Sequence, residues 1–271
     1  MVRRPLGNHH DGPDTLLVTS KTPETTQHEL VATETVEEKS DQENGNLREL
    51  IGARVVLWDF DGPVCRLFAR HRAERVAAGL VEWLAGRGLR GLLTEDERET
   101  LDPQVVLRAV DRRHPGSDLV AELEERLTQD ELVAAASAWP TPYADPLIRT
   151  WSAVGSRLAV TTNNSPRVVH AYLADRGLTG CFAPHIYGRT AELRRLKPDP
   201  FCLDRALAAL GAAPESALMI GDSPTDLVAA ERAGVRFLGY ATGERRAKQL
   251  RASGADTVLT SLEPLLLALR G

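Results

Sequence analysis

Short runs of consecutive apolar residues alternate along the chain with longer segments whose apolar positions are spaced as in a helix. Such runs are typical of strands buried on both faces of a parallel sheet. They lie at residues 54–59, 158–162 and 217–221, and two weaker runs lie at 235–240 and 257–259. Strands that alternate with helices predict an α/β fold with a doubly wound parallel sheet.

The helices predicted between these strands have recognisable ends. Residues 166–176 follow Ser165, which can cap a helix, and they begin with a proline and stop before Gly177. Residues 201–210 and 225–233 are likewise each followed by a glycine. These signals place one helix after each of the later strands.

The segment of residues 67–142 interrupts the alternation, because it is helix-forming almost throughout. Its apolar residues recur at helical spacing, and they are Val76, Leu80, Trp83, Leu84, Val105, Val106, Ala109, Leu119, Leu123 and Leu127. Gly-rich and Pro-rich turns divide it into several pieces. We predict a small helical bundle inserted between the first strand and the rest of the sheet.

The first 46 residues differ in composition from the rest. Residues 1–46 hold nine acidic and four basic residues and no aromatic residue, and this excess equals the net charge of −5 of the whole chain. A segment of this kind cannot bury enough apolar surface to offset the entropy lost on ordering. We predict a disordered acidic tail, with a partner-binding or regulatory arm as the alternative.

Composition excludes several classes of protein for the 271-residue chain. A net charge of −5 argues against a general nucleic-acid binder, and no apolar run approaches the roughly 18 residues of a membrane span. Cys65, Cys181 and Cys202 are too few and too far apart for a disulfide framework or a zinc site. We therefore expect a cytoplasmic protein that has no membrane or nucleic-acid partner; the oligomeric state stays open.

Two aspartates directly follow the first predicted strand. Asp59 and Asp61 alternate along the chain, so their side chains point to the same side. They lie at the carboxyl end of the strand, where open α/β sheets bind ligands. Two close carboxylates repel each other unless one is protonated or a cation lies between them, and Mg²⁺ prefers oxygen ligands. The alternative is a turn with two incidental acids.

Three further motifs follow in order. Thr162 and Asn163 end the second strong run, Lys197 precedes a proline, and Asp222 and Asp226 follow the third run. Each has an ordinary alternative: a turn, a surface lysine and a helix cap. Four such motifs in this order, three of them after apolar strands, favour one common site.

In these motifs the sequence resembles the haloacid dehalogenase (HAD) superfamily, over about residues 54–259. The insert resembles the α-helical cap of the branch that contains phosphoglycolate phosphatase and β-phosphoglucomutase. The resemblance implies a Rossmann-like catalytic core of residues 47–66 and 143–271 and a cap of residues 67–142. It also implies a Mg²⁺-dependent phosphatase that hydrolyses a small phosphorylated metabolite through an aspartyl phosphate.

The resemblance further implies a role for each motif residue. Asp59 would be the nucleophile and Asp61 the general acid and base. Thr162 would bind the phosphoryl oxygens, with Asn163 beside it, and Lys197 would stabilise the developing charge.

A metal set is implied in the same way. Asp59, the backbone carbonyl of Asp61, and Asp222 would be the Mg²⁺ ligands, and Asp226 would support them.

The first motif departs from the family pattern at two positions. Pro63 stands where threonine often follows the glycine, and Arg66 stands where an acid is common. Arg66, Arg70 and His71 could contact an anionic substrate, or they could be solvated helix residues. The substrate should therefore not be copied from the phosphoglycolate branch.

Three alternatives to a phosphatase remain. The first is a phosphomutase of the β-phosphoglucomutase type, which differs in whether the product re-enters before water attacks. The second is a haloacid dehalogenase, which is less favoured because that branch uses one nucleophilic aspartate and no metal. The third is a catalytically silent HAD-like binding protein, which the intact acidic motifs argue against.

Overall fold

A computed structural model describes Leu47 and residues 49–271. The predicted disordered tail, residues 1–46, lies outside the described residues. Eight strands are numbered in chain order: β1 Val55–Trp58, β2 Cys65–Arg66, β3 Trp139–Pro140, β4 Arg157–Thr161, β5 Ile186–Tyr187, β6 Ala217–Gly221, β7 Arg236–Tyr240 and β8 Val258–Leu259.

Eleven α-helices with both ends inside the described part of the chain are numbered in the same way. They are α1 Ala73–Gly86, α2 Glu95–Arg98, α3 Pro103–Arg113, α4 Asp118–Ala135, α5 Ala144–Ala153, α6 Pro166–Asp175, α7 Thr179–Phe182, α8 Phe201–Leu210, α9 Pro224–Ala233, α10 Glu244–Ala252 and α11 Glu263–Arg270. None of the helices within these described residues combines the length and apolar character needed to cross a bilayer.

The main sheet has six parallel strands in the order β5-β4-β1-β6-β7-β8. The predicted doubly wound α/β fold is therefore confirmed. Its central strand β1 lies between β4 and β6, with Trp58 opposite both Val160 and Ile220. This register brings the carboxyl ends of the three strands to one level.

Helices cover both faces of the sheet, and the side chains of β1 alternate between them. Val56 and Trp58 pack against α5, α6 and α11, whereas Val55 and Leu57 pack against α8 and α9. All four side chains are fully buried, which explains the continuous apolar run in the sequence. Trp58 also meets Trp151 of α5 edge to face, with ring centroids 5.8 Å apart.

Helices α1, α3 and α4 of the insert pack around an apolar cluster of their own. Its buried residues include Leu80 of α1, Leu107 of α3 and Leu123 of α4. Leu193 and Leu196, which follow β5, complete this cluster from the side of the main sheet. The insert is therefore a small helical bundle, as its helical periodicity predicted.

A two-stranded antiparallel sheet lies where the chain enters and leaves the insert. Cys65 of β2 pairs with Pro140 of β3, and Arg66 pairs with Trp139. Thr141 strengthens the junction, because its backbone N–H donates to the carbonyl of Val64 at 3.1 Å. Its hydroxyl donates to the carbonyl of Gly62 at 2.5 Å. The two points at which the chain passes between the main sheet and the insert thus lie side by side, next to the first acidic motif.

Candidate active site

The motif residues lie at the carboxyl ends of the three central strands. The backbone N–H of Asp59, directly after β1, donates to the carbonyl of Ile220 in β6 at 2.9 Å. Thr162 follows β4 and Asp222 follows β6, so the register sets both beside the β1 end. The sheet topology therefore gathers residues that are up to 163 positions apart in the chain.

Lys197 lies at the centre of this group. Its buried ammonium donates to Asp59 Oδ1 at 2.8 Å and to the carbonyl of Thr161 at 3.0 Å, and it lies 2.5 Å from Asp226 Oδ1. Burial alone would lower the pKa of Lys197, but Asp226 and Asp59 more than offset burial and raise it. The lysine is therefore held in its charged form.

The two aspartates of the first motif are both shifted towards neutrality. Burial raises the pKa of Asp59 to about 6, although Lys197 opposes this rise. Burial also raises the pKa of Asp61 to about 7, against a hydrogen bond of 2.8 Å that its Oδ1 accepts from the backbone N–H of Leu67. A carboxyl with a pKa near neutrality can both donate and accept a proton there.

Two glycines allow the motif that contains Asp222 and Asp226 to approach the motif that contains Asp59 and Asp61. Gly62 has a φ of +115°, and a Cβ there would lie 2.5 Å from Cγ of Asp222. A Cβ on Gly221 would lie 2.5 Å from Cβ of Asp226. Neither contact is sterically possible for a larger residue, so both glycines are needed for the acids to lie this close.

Three carboxylates converge closely enough to share a cation. One oxygen from each of Asp59, Asp222 and Asp226 lies within 4.8 Å of the others. Burial, together with the neighbouring Asp59, Asp226 and Asp61, raises the pKa of Asp222 well above its usual value. Three crowded carboxyl groups, two of them with a raised pKa, offer the oxygen ligands that a hard divalent cation such as Mg²⁺ prefers.

Asp226 is the least available of the three, because both of its oxygens already accept hydrogen bonds. Oδ1 faces Lys197, and Oδ2 accepts from the backbone N–H groups of Asp222 and Ser223 at 3.1 Å and from the Ser223 hydroxyl at 2.8 Å. Ser223 in turn caps α9 in a capping box with Asp226. Asp226 therefore supports the cluster from the start of this helix.

The loop after β4 forms the opposite wall. The hydroxyl of Thr162 donates to Oδ1 of Asn164 at 3.1 Å. Asn163 Oδ1 accepts from the backbone N–H of Lys197 at 2.8 Å, and its Nδ2 donates to the Lys197 carbonyl at 3.2 Å. Asn163 thus fixes the backbone from which the central lysine projects.

These side chains line a single cleft of about 470 Å³ beneath the insert. All seven residues of the four predicted motifs line it: Asp59, Asp61, Thr162, Asn163, Lys197, Asp222 and Asp226. The insert contributes Phe68, Leu101 and Arg108, among others. A cleft of this size matches small-molecule sites.

A family model for haloacid dehalogenase-like hydrolases matches residues 26–234, more than half of the chain. The chain belongs to the haloacid dehalogenase-like hydrolase family. This membership confirms the resemblance found in the sequence.

Curated relatives of this hydrolase are phosphoglycolate phosphatases. That of Rhodospirillum rubrum is 38% identical over 114 residues, which is 42% of this chain and 46% of the relative. That of Colwellia psychrerythraea is 28% identical over 171 residues, which is 59% of this chain and 75% of the relative. The chain spans about half the length of the first of these relatives.

Solved HAD structures resemble this hydrolase over most of its length. CbbY from Rhodobacter sphaeroides in complex with phosphate is 26% identical, with a TM-score of 0.57 over 81% of this chain and 100% of that one. A HAD family hydrolase from Deinococcus radiodurans, with bound phosphate and sodium, is 27% identical. Its TM-score is 0.51, over 79% of this chain and 93% of that one.

The three basic residues near the entrance to the insert of this HAD hydrolase differ in whether they line a pocket. Arg66 lines a second pocket beside the cleft. Arg70 lies over the ring of Trp139, 5.8 Å from its centroid, and is not among the lining residues of either pocket. His71 Nε2 lies 3.9 Å from Asp130 Oδ1 of α4 and also lines neither pocket. The structure therefore brings only Arg66 next to the acidic cluster.

Sequence reasoning missed a buried ion pair that joins the insert to the segment after β5 and, through further hydrogen bonds, to the loop after β4. Glu131 of α4 accepts from Arg189 at 2.9 Å and 3.0 Å through its two oxygens. The same oxygens accept from Asn164 Nδ2 at 2.9 Å and from the backbone N–H of Ser165 at 3.2 Å. The pair thereby holds Asn164, the hydrogen-bond partner of Thr162, and it ties the HAD core to the insert.

Proposed function

We propose that the protein is a Mg²⁺-dependent phosphatase that hydrolyses a small phosphorylated metabolite through an aspartyl phosphate on Asp59. One observation carries the proposal: Asp59, Asp61, Thr162, Lys197 and Asp222 line the same cleft. The phosphoglycolate phosphatase names of the relatives and the phosphate bound by two neighbours support the same chemistry.

In the first step, a carboxylate oxygen of Asp59 attacks phosphorus and the bond between phosphorus and the ester oxygen breaks. Asp61, protonated near neutral pH, gives its proton to the leaving oxygen. In the second step, Asp61 takes a proton from water as the water attacks the phosphorus of the aspartyl phosphate. Inorganic phosphate leaves and Asp59 is restored.

Charge neutralisation is the other requirement, because a carboxylate and a phosphate dianion repel each other. The ammonium of Lys197 lies 2.8 Å from Asp59 Oδ1, where it offsets that repulsion. The Thr162 hydroxyl and Asn163 would orient the phosphoryl oxygens. Asp59 and Asp222 would hold Mg²⁺, with the Asp61 carbonyl, and Asp226 would support them; the cation would stabilise charge on the phosphoryl oxygens.

We also propose that residues 67–142 act as a cap over residues 47–66 and 143–271. The cap would exclude bulk water while the aspartyl phosphate forms. Its side chains in the cleft, such as Leu101 and Arg108, would then contact the substrate beyond its phosphate. A cytoplasmic location and the absence of a nucleic-acid partner stay predictions from composition.

The test is release of inorganic phosphate from p-nitrophenyl phosphate with Mg²⁺ and with a chelator. We expect turnover that needs Mg²⁺ and disappears in Asp59→Asn, because the amide is not a nucleophile. Asp256→Asn is the matched control, since Asp256 is exposed and outside the cleft. Full activity of Asp59→Asn would refute the nucleophile assignment. No turnover in the wild-type protein would favour the silent binding protein or the mutase, and isomerisation of a sugar phosphate without net phosphate release would then single out the mutase.

A further inference from the structure

The second pocket, which we call the arginine pocket, lies on the other side of Phe68 and Ala73 from the cleft. It has a volume of about 610 Å³ and shares Asp61, Asp222, Phe68 and Ala73 with the cleft. A molecule whose phosphate lies at Asp59 therefore has two directions in which to extend. One leads under the insert, and the other leads into the arginine pocket.

Three arginines from separate parts of the chain line the arginine pocket. Arg66 comes from β2, Arg72 directly precedes α1, and Arg246 comes from α10. Glu74 is the one acidic side chain in the lining that does not belong to the proposed catalytic cluster. Beyond the catalytic acids, the walls of this pocket thus carry an excess of positive charge.

Two of the three arginines have a carboxylate nearby. Arg72 Nε lies 3.4 Å from Glu74 Oε2, and Arg246 Nη1 lies 3.7 Å from Asp222 Oδ2. Arg66 has no acidic partner among the described residues, and its guanidinium lies over Trp139, 5.4 Å from the ring centroid. Stacking of this kind orients the guanidinium and leaves its N–H donors for another acceptor.

We propose that the arginine pocket, with Arg66 at its centre, binds a second anionic group of the substrate, either a carboxylate or a second phosphate. The forked donors of arginine match the paired oxygens of both groups. The inference rests on the proposed function for the position of the reacting phosphate. It predicts that the preferred substrate is a phosphorylated metabolite with another negative charge at its far end.

The test is a binding measurement that does not depend on turnover. Full-length protein with Mg²⁺ is titrated, by calorimetry, with alkylphosphonates of several chain lengths that end in a methyl group, a carboxylate or a second phosphonate. We expect an anionic end to improve affinity at least about tenfold at one chain length or more, as one charge-assisted contact would do. The better of the two anionic ends identifies the group that the pocket prefers.

Variants of single arginines test whether the gain in affinity from an anionic end depends on the arginine pocket. Arg66 is exposed, so Arg66→Gln should leave the fold intact, and we expect it to remove most of the anionic advantage. Arg66→Lys should keep part of it, because the charge remains but the fork is lost. Arg70→Gln is the matched control, since Arg70 stacks on the same Trp139 outside the pocket, and the advantage should persist there.

The outcomes separate the two proposals. Equal affinity for methyl-ended and anion-ended ligands at every chain length, or an advantage that survives Arg66→Gln, overturns the arginine pocket as an anion site. If p-nitrophenyl phosphate is hydrolysed in that case, the phosphatase proposal stands alone. If it is not hydrolysed but the Arg66-dependent advantage is present, the pocket stands and the phosphatase proposal fails. If no phosphonate binds, the arginine pocket fails as an anion site, and hydrolysis of p-nitrophenyl phosphate alone decides the phosphatase proposal.

Discussion

Replacing Glu131 by glutamine tests whether the buried ion pair with Arg189 stabilises the protein. The side chain of Arg189 is 0% exposed and that of Glu131 is 1% exposed, so neither charge is solvated by water. Glutamine is nearly the same size as glutamate, and it can still accept from Asn164 or Ser165. The change therefore removes the charge with little change in packing.

The expected loss follows from these burial values. Removing one partner of a buried ion pair costs about 3–5 kcal/mol, because the other charge is left without compensation. Here Glu124 Oε1 also lies 2.9 Å from Arg189 Nε and is 28% exposed, so it compensates part of that charge. We therefore expect the lower value, about 3 kcal/mol. For a domain of this size that is a drop in Tm of roughly 6–12 °C.

The assay is thermal and urea unfolding of the full chain, with Glu125→Gln as the matched control. Glu125 lies on the same helix and pairs with Arg167, but these side chains are 51% and 56% exposed. An exposed pair of this kind contributes little to stability, so we expect Glu125→Gln to have hardly any effect. The double variant Glu131→Leu with Arg189→Met should be more stable than Glu131→Gln, since the only charge that loses its partner is that of Glu124, which is 28% exposed. If Glu131→Gln costs no more than Glu125→Gln, the reasoning from burial is wrong.

Three other predictions concern the cleft. The pKa of Asp61 rises on folding from 3.8 to about 7, so its ionisation disfavours the folded state as pH rises through this range. In the presence of a chelator, Asp61→Asn should therefore raise the free energy of urea unfolding at about pH 8 and change it little at about pH 4. An equal change in the free energy of unfolding at the two pH values would contradict this. Added Mg²⁺ should raise the Tm of the wild-type protein, and it should raise the Tm of Asp222→Asn much less. An equal rise in Tm for both proteins would show that Asp222 is not a metal ligand. Gly62→Ala should lower both Tm and phosphatase activity, because its Cβ would lie 2.5 Å from Asp222 Cγ. Gly79→Ala, where a Cβ meets nothing within 4 Å, should lower neither.

Elements with a clear pattern of buried positions were the easiest to predict from the sequence. The run at 217–221 coincides with β6, and residues 201–210 coincide with α8. Every residue of β6 is buried, so no solvent-facing position breaks the apolar run. Strand β5 was missed, because two half-buried residues at the edge of a sheet carry no recognisable pattern.

Contacts between distant segments were harder to foresee. Ser165 was expected to cap α6, but its side chain makes no capping hydrogen bond, and its N–H donates to Glu131 instead. Glu131 and Arg189 are 58 residues apart, and each resembles an ordinary surface charge in the sequence. Their burial depends on how the insert packs, which the local pattern does not encode.

The acidic site was predictable because its residues follow strands whose order is fixed by the parallel sheet. Asp59 and Asp222 each directly follow a strong apolar run, and neighbouring strand ends must meet. The environment of Arg66 was not predictable in the same way. It depends on Trp139, which lies 73 residues later and returns to Arg66 only through the pairing of β2 with β3.

That pairing makes the insert an exchangeable module. Paired residues of neighbouring antiparallel strands are about 5 Å apart, so a tight hairpin could span Arg66 to Trp139. Arg189, which would lose its buried partner Glu131, and Leu193 and Leu196, which would lose their cover, would have to be replaced as well. The six-stranded sheet and its helices would keep the acidic cluster, but they would lose the insert that covers it. Under the proposed function, a different bundle grafted at this one junction would show whether the insert sets the size of the phosphate ester that the cleft accepts.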